Sequence, residues 1–287
     1  LQAVCVTPQK HYNLNWGLLH TGDAANFIAV NNLTPNFRVL LTVVNGKEVY
    51  NCNSFLSTIK SQAKSINNQM AILDNYPNRF LAEPVTADDI ALQISSGDRV
   101  RIIHAFDGSL LTKSEEVTVT GNPLIDSRYA WGEVQKIVVY NRYRKGAKPV
   151  TGLIRGFCLK NGAMAASIAH DCHNIVAIGS NDEYIVKAIN RVVEMKGGLV
   201  AIAGNEMTDL ALPIAGLISP LSGHEIAYRS SRLRDTILNA GCLFHAPFIT
   251  MAFMCLPVIP EIKLTDRGLF DFNRWGFVKT AENCADK

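Results

Sequence analysis

The sequence lacks an apolar run long enough to cross a membrane, since a spanning helix needs about 18–20 consecutive apolar residues. The longest apolar segment, at 248–259, is broken by Pro257 and followed by Pro260. Hydrophobic residues still make up 48% of the 287 residues, which is enough for an ordinary core. We therefore predict no membrane partner and either one large domain or about two domains of ordinary size.

A large excess of charge of one sign is also missing. The formal net charge is +3, which is too small to indicate a nucleic-acid partner. The most basic cluster, Arg142–Lys145 with Lys148, lies beside Gly146 and Pro149. We expect this cluster to be a solvated turn and predict no nucleic-acid contact for it.

Paired cysteine motifs are absent as well, because none of the seven cysteines belongs to a C-x-x-C pair. Their odd number and irregular spacing argue against a disulfide framework. Reduced thiols are typical of the cytoplasm, and we predict that location. The cysteines stand at positions 5, 52, 158, 172, 242, 255 and 284.

The sequence has no G-x-S-x-G elbow, no P-loop and no G-x-G-x-x-G after a strand. It does contain a dense polar segment, His170–Asn174, between the apolar runs 163–169 and 175–178. Short apolar runs are typical of strands, so the polar segment is predicted to connect two strands. Such loops often carry binding or catalytic groups. The alternative is a polar turn whose side chains cap backbone groups.

The residue types in this segment suggest two kinds of chemistry, and neither is favoured. His170 and His173 lie three apart with Asp171 between them, but a metal site needs three or four convergent ligands. Cys172 could be a nucleophile beside either histidine, yet neighbouring side chains tend to point apart. We therefore predict no metal held within this chain. His104, His224 and His245 are scattered along the chain and are expected to be surface or packing residues.

Hydrophobic periodicity predicts the secondary structure. The pair Asn45-Gly46 is typical of a type I′ turn and predicts a hairpin between strands 38–44 and 47–50. Apolar residues at steps of three and four predict an amphipathic helix from Phe55 to Leu73. Further strands are predicted at 26–30, 98–103, 110–120, 136–140, 153–159 and 163–169.

Two later helices begin with capping-box patterns, Ser180–Glu183 and Ser222–Glu225. Gly197 and Gly241 are expected to end them. The first helix makes 175–203 a strand–helix–strand unit that crosses back over a sheet. Together the elements predict an α+β fold with layered, mostly antiparallel β-sheets and flanking helices.

Three segments resemble one known family, in that family's order. Residues 152–183 (GLIRGFCLKNGAMAASIAHDCHNIVAIGSNDE) and 246–269 closely resemble the C-terminal domain of bacterial adenine deaminases. Residues 8–30 are similar to the point where the metal-dependent barrel of those enzymes ends and the chain returns to a small β-domain. Asn26 and Cys172 stand where this family usually has Asp and Ser.

The resemblance implies a domain organisation. Residues 1–50 would be the end of an amidohydrolase barrel together with β-sandwich strands, which leave a small β-hairpin remnant of that sandwich here. Residues 51–80 would form a connecting helix, and residues 81–287 the adenine deaminase C-terminal domain. We expect this chain to be part of a longer protein, with the barrel upstream of Leu1.

The resemblance also implies chemistry for the intact enzyme, which would hydrolyse adenine to hypoxanthine and ammonia with a metal-bound hydroxide. The divalent metal, manganese or iron with zinc as a further option, would be bound outside this chain. The enzyme is expected to be a homodimer. No catalytic residue is assigned to this chain, which is expected to be inactive alone. The candidate site-completing loop, facing the barrel mouth or a subunit contact, consists of His170, Asp171, His173 and Asn174.

Two other functions stay open. The chain could be a small-molecule-binding module without catalytic activity. It could also be a dimerisation domain, for which the apolar segment 248–259 would supply the contact.

Overall fold

A computed structural model describes residues 1–54, 76–120 and 133–283, which belong to two compact units, 1–67 and 68–287. The helix predicted from Phe55 to Leu73 lies outside the described residues. None of the described helices is long and apolar enough to cross a membrane.

The first unit begins with a π-helical turn at Gln2–Val6 and a short helix α1, Thr7–His11. Its antiparallel sheet has three strands in sequence order: β1 (Phe27–Val30), β2 (Val39–Val44) and β3 (Lys47–Asn51). The hairpin between β2 and β3 is confirmed. Asn45 and Gly46 have φ values of 50° and 74°, which is the left-handed pair that a type I′ turn requires.

The second unit is built on a nine-stranded sheet. Its first five strands are β4 (Asp98–Ala105), β5 (Thr112–Thr118), β6 (Val134–Tyr140), β7 (Val150–Arg155) and β8 (Gly162–Ala166). The others are β9 (Ile175–Gly179), β10 (Gly198–Ala203), β11 (Glu206–Ala211) and β15 (Ala281–Asn283). Their order across the sheet is β11-β10-β8-β9-β6-β7-β4-β15, with β5 also paired to β4. The pairs are antiparallel except for β4 and β7.

A small antiparallel sheet follows in the same unit. It consists of β12 (Ile262–Thr265), β13 (Gly268–Asp271) and β14 (Gly276–Val278). The unit also contains a 3-10 turn at Asp88–Ile90 and three helices: α2 (Asp182–Glu194), α3 (Gly223–Asn239) and α4 (Pro247–Phe253). The predicted α+β class with layered, mostly antiparallel sheets is confirmed.

Strands β8 and β9 are buried along their whole length. Successive side chains of a strand point to opposite faces of its sheet. Ala163 and Ala165 accordingly pack with buried residues of α2, whereas Met164 and Ala166 pack in a cluster with residues of α3 and α4. Helices thus cover both faces of the central strands. Burial on both faces is the physical reason for their nearly continuous apolar sequences.

The strand–helix–strand unit at 175–203 is confirmed, with one strand inserted. Strands β9 and β10 both pair antiparallel to β8, so they run parallel to each other on either side of it. Helix α2 is the crossover that joins parallel strands, which a tight turn cannot do.

Of the two predicted helix caps, Ser222 is confirmed and Ser180 is not. Ser222 accepts a hydrogen bond from the backbone amide of Glu225 at 3.2 Å, as predicted. For α2 the prediction was wrong, because the cap is Asn181, whose side chain accepts from the amide of Tyr184 at 2.9 Å. The Ser180 hydroxyl instead accepts from the amide of Gly162 in the neighbouring strand at 3.1 Å. Because the Ser180 hydroxyl bonds to strand β8, it does not cap the helix.

The largest differences from the predicted strands lie at the carboxyl ends of two of them. Strand β7 ends at Arg155 and β8 ends at Ala166, although the apolar runs continue to Leu159 and Ala169. Gly156, at φ 118°, turns the chain after β7. A Cβ there would lie 2.4 Å from the Ala105 carbonyl oxygen, so the chain passes too close to β4 for a side chain. Beyond these ends Phe157, Leu159 and Ala169 are still buried, because they enter the core as loop residues.

Candidate functional site

The polar segment His170–Asn174 lies in the loop between β8 and β9, as predicted. Two backbone hydrogen bonds hold this loop in place. The His170 amide donates to the Ala252 carbonyl at the end of α4 at 3.0 Å, and the His173 amide donates to the Ala169 carbonyl at 2.6 Å. The loop is therefore tied to the core on one side and closed on itself on the other.

The two histidines of the loop lie close together. Their ring centroids are 5.8 Å apart at an interplanar angle of 66°, and the ring of His170 packs against Phe253 at 4.5 Å. His173 has a φ of 48°, a left-handed conformation that non-glycine residues rarely adopt. Burial, together with the charges of His170 and Arg142, lowers the pKa of His173 below its usual 6.5. Its imidazole is therefore mostly neutral at pH 7.

Arg142 supports the loop from the neighbouring strand end and is only 1% exposed. Its Nε donates to the His173 carbonyl at 2.6 Å, and its Nη2 donates to the Ala215 carbonyl at 2.9 Å. The guanidinium carbon lies 4.4 Å from the ring centroid of Tyr143. A buried arginine is stable when carbonyls and aromatic faces replace water around it.

This position corrects the prediction that the whole basic cluster is a solvated turn. Arg144, Lys145 and Lys148 are exposed as expected, but Arg142 is buried. The sequence signal that could have separated it is the aromatic neighbour at Tyr143. The carbonyls that pair with it are distant in the chain and carry no local signal.

Three buried polar atoms in this cluster have no hydrogen-bond partner among the residues that the structure describes: His173 Nδ1, Asn174 Oδ1 and Arg142 Nη1. Leaving a buried polar atom unpaired costs about 1–3 kcal/mol. Three such atoms from residues in and beside one loop mark a place where a partner from outside these residues would be stabilising. The alternative interpretation, a turn whose side chains only cap local backbone, does not account for these three atoms.

Asp171 and Cys172, on the outer side of the loop, open onto a groove of about 510 Å³. The opposite wall comes from the small sheet and its turns, with Asp266, Arg267 and three aromatic rings. Asp266 is held by Asn141, whose Nδ2 donates to its Oδ2 at 2.6 Å. Sequence reasoning missed this groove, because its two walls lie about a hundred residues apart in the chain. The aromatic residues of the groove are Phe270, Trp275 and Phe277.

The thiols of this region are poor nucleophiles. Surrounding protein atoms desolvate the Cys172 thiol and raise its pKa, although the residue as a whole is exposed at the groove, and full burial raises the pKa of Cys255 well above the usual value. Both thiols are therefore protonated at neutral pH, and the thiolate is the nucleophilic form. The six cysteines within the described residues are all free thiols.

No three His, Cys, Asp or Glu side chains converge in the parts of the chain that the structure describes. His104 instead pairs with Glu115 at 2.7 Å, and Glu115 also binds Arg155 at 2.8 Å. The His245 side chain is 93% exposed and pairs with Asp107. These residues do not fit a bound metal ion, which requires three or four convergent ligands.

Comparisons with known proteins agree on one family. A family model described as the adenine deaminase C-terminal domain matches residues 109–275. Three curated relatives, each named adenine deaminase, cover 97% of this chain. They come from Methanosarcina acetivorans (40% identical over 283 residues), Salinibacter ruber (39% over 283) and Methanosarcina barkeri (38% over 290). The chain spans only 48–50% of the length of these relatives.

Proposed function

This chain belongs to the family of adenine deaminase C-terminal domains, and from that premise we propose that it is the C-terminal part of an enzyme that hydrolyses adenine. Water replaces the 6-amino group, and the products are hypoxanthine and ammonia. The match to relatives named adenine deaminase over 97% of the chain is the observation that carries this proposal. Those relatives are about twice as long, which leaves room for a catalytic barrel upstream.

The proposed organisation follows the resemblance. Residues 1–50 are the end of the barrel and strands of its β-sandwich, 51–80 are the connection, and 81–287 are the C-terminal domain. The separate compactness of unit 1–67, with its own three-stranded sheet, supports this division. The family match at 109–275 falls inside the third segment.

The divalent metal of the intact enzyme, manganese or iron with zinc as a further option, is held outside this chain. The described residues do not fit such an ion, so we assign none of them to the steps that activate water or protonate the leaving amine. This chain alone is therefore inactive, and its role is structural or site-completing.

The loop is the proposed point of contact with the rest of the enzyme. In the intact homodimer, its polar side chains meet either the substrate entrance of the barrel or the neighbouring subunit. The unpartnered buried atoms of His173 and Asn174, with that of Arg142, support this role. The proposed site-completing residues are His170, Asp171, His173 and Asn174.

The first experiment compares the 287-residue chain with the full-length enzyme. Ammonia release from adenine is measured for both after metal loading. We expect turnover by the full-length protein and none by the chain above a protein-free control. Turnover by the purified chain would contradict the proposed division of labour.

The second experiment tests the loop with His173→Ala in the full-length enzyme. If Nδ1 pairs with substrate or with a neighbouring subunit near it, turnover falls about tenfold, the value of one such hydrogen bond. The melting temperature then changes little. His245→Ala is the matched control, because this histidine is 93% exposed and pairs only at the surface. Lost stability with unchanged turnover per folded molecule would make the loop purely structural.

The apolar segment 248–259, which the dimerisation alternative invokes, is divided in the described fold. Met251 and Met254 are both 0% exposed and pack in the core. Ile249 and Val258 are 64% and 58% exposed, so the dimerisation alternative stays open. The small-molecule-binding alternative is favoured by one observation, which is the aromatic groove beside the loop.

A further inference from the structure

The aromatic wall of the groove is exposed although it is apolar. Trp275 is 66% exposed and Phe277 is 52% exposed. Both rings pack edge-on against Phe270, at centroid distances of 5.6 and 5.5 Å. Through these edge-on contacts the three rings form one aromatic surface that lines the groove.

Each wall of the groove also carries a carboxylate. Asp171 is exposed at the turn of the loop, and Asp266, on the same wall as the aromatic rings, is fixed by its hydrogen bond from Asn141. The basic residue that lines the groove, Arg267, lies with its guanidinium carbon 5.6 Å from the ring centroid of Phe277. The groove therefore offers two carboxylate acceptors together with aromatic side chains.

These two walls suit a planar nitrogen heterocycle that carries several N–H donors. Its ring would stack on the aromatic side chains, as bases do on such platforms. Its N–H groups would donate to the carboxylates in charge-assisted hydrogen bonds, which are stronger than neutral ones. The volume of about 510 Å³ lies within the usual range for small-ligand sites.

We propose that this groove, lined by Asp171, Asp266 and Trp275, binds adenine in this chain itself, independently of the catalytic half. The choice of adenine among N–H-rich bases rests on the function proposed above. The 6-amino group of adenine is a donor that suits a carboxylate acceptor, whereas hypoxanthine has a carbonyl acceptor at the same position.

A polypeptide is a poorer occupant of the groove. The centres of protein interfaces are depleted of Asp and Glu, because burying a carboxylate without a partner is costly. A cover of apolar side chains over the exposed rings would remove Asp171 and Asp266 from water and leave Asp266 only its hydrogen bond from Asn141. A base with its own N–H donors supplies the missing partners together with the apolar face.

Calorimetric titration of the 287-residue chain with adenine and with hypoxanthine tests the proposal. We expect adenine to bind about tenfold more tightly, the difference that one hydrogen bond to a charged group makes. Trp275→Ala and Asp266→Asn should each weaken adenine binding about tenfold or more. The amide of Asp266→Asn can still accept from Asn141, so this variant keeps the local fold. Asp171→Asn, at an exposed position, repeats the carboxylate test should Asp266→Asn lower the melting temperature.

Matched controls are Tyr12→Ala, an aromatic side chain of the first unit that is 70% exposed, and Glu183→Gln, an exposed carboxylate on α2. Both should leave binding unchanged. Absence of adenine binding at millimolar concentration, or binding that survives the groove variants, would overturn the proposal. The binding measurement does not depend on turnover, because it is made on this chain alone. A full-length protein that does not deaminate adenine would refute the proposed function and leave the binding measurement unaffected.

Discussion

The two units contain β-sheets that are equally recognisable in the sequence but very different in burial. In the first unit no described residue is fully buried, and Ile28 of β1 is 50% exposed. In the second unit β8 and β9 are buried throughout between helices. A strand pattern therefore predicts the strand, while the layers around it decide how much that strand stabilises. A lone small sheet is marginally stable without something packed on its face.

Amide hydrogen exchange should give the largest contrast between the sheets. The amide of Val176 in β9 should exchange only on global unfolding, whereas that of Thr42 in β2 should exchange through local opening. We expect a difference of about a thousandfold or more, which corresponds to about 4 kcal/mol. Slow exchange at Thr42 in this chain alone would show that the first sheet is stable without upstream strands.

A matched pair of truncations should give the next largest effect. Ile178→Ala removes a 0% exposed side chain from the core cluster and should lower the free energy of unfolding by about 2–5 kcal/mol. Ile28→Ala, at a half-exposed position, should cost less than about 1 kcal/mol. Urea unfolding measures both, and equal losses would contradict the contrast in packing.

Two glycines, one in each unit, test how closely the backbone is packed in the two sheets. A Cβ at Gly162 would lie 1.9 Å from the Ile202 carbonyl oxygen, so Gly162→Ala must displace β8 from β10 at a cost of about 1–3 kcal/mol. Gly46→Ala meets no atom within 4 Å and carries only the cost of its φ of 74°, about 1 kcal/mol. Thermal unfolding of both variants checks the order, which equal effects would refute.

Lys263 predicts a smaller, pH-dependent difference. It is fully buried, and burial lowers its pKa from 10.5 to about 8 while its Nζ donates to the Leu110 carbonyl. Between these two values the unfolded chain binds the proton that the folded chain has released. Its contribution to stability therefore rises with pH from about 8 to 10.5.

Unfolding of the wild type and of Lys263→Met at several pH values isolates this contribution. The buried thiol of Cys255, whose pKa is raised, acts in the opposite direction in both proteins, and the measured difference includes the loss of the Lys263 charge that lowers its pKa. The wild type should gain stability relative to Lys263→Met as the pH rises. A difference that stays constant would show that Lys263 titrates normally.

The prediction of the loop shows how far sequence reasoning reached at the candidate site. His170–Asn174 was found because its polar residues interrupt two apolar runs, and the structure places it between β8 and β9. The roles of its side chains stay predictions. Arg142, which supports the loop, and the aromatic groove beside the loop were not predicted. Arg142 contacts carbonyls 31 and 73 residues away, at His173 and Ala215, so its aromatic neighbour Tyr143 is its one local signal.

Elements whose cause is local could be predicted from the sequence. The positive φ values of Asn45 and Gly46, the apolar stripe of α2 and the cap at Ser222 all follow from neighbouring residues. Family membership could also be predicted from the order of the motifs. Three features follow instead from the packing of distant segments: Asn181 replaces Ser180 as the cap, Arg142 is buried, and Asp171 and Trp275 share one groove. Each of these depends on pairing between distant segments, whose free energy is set by burial and hydrogen bonding in three dimensions.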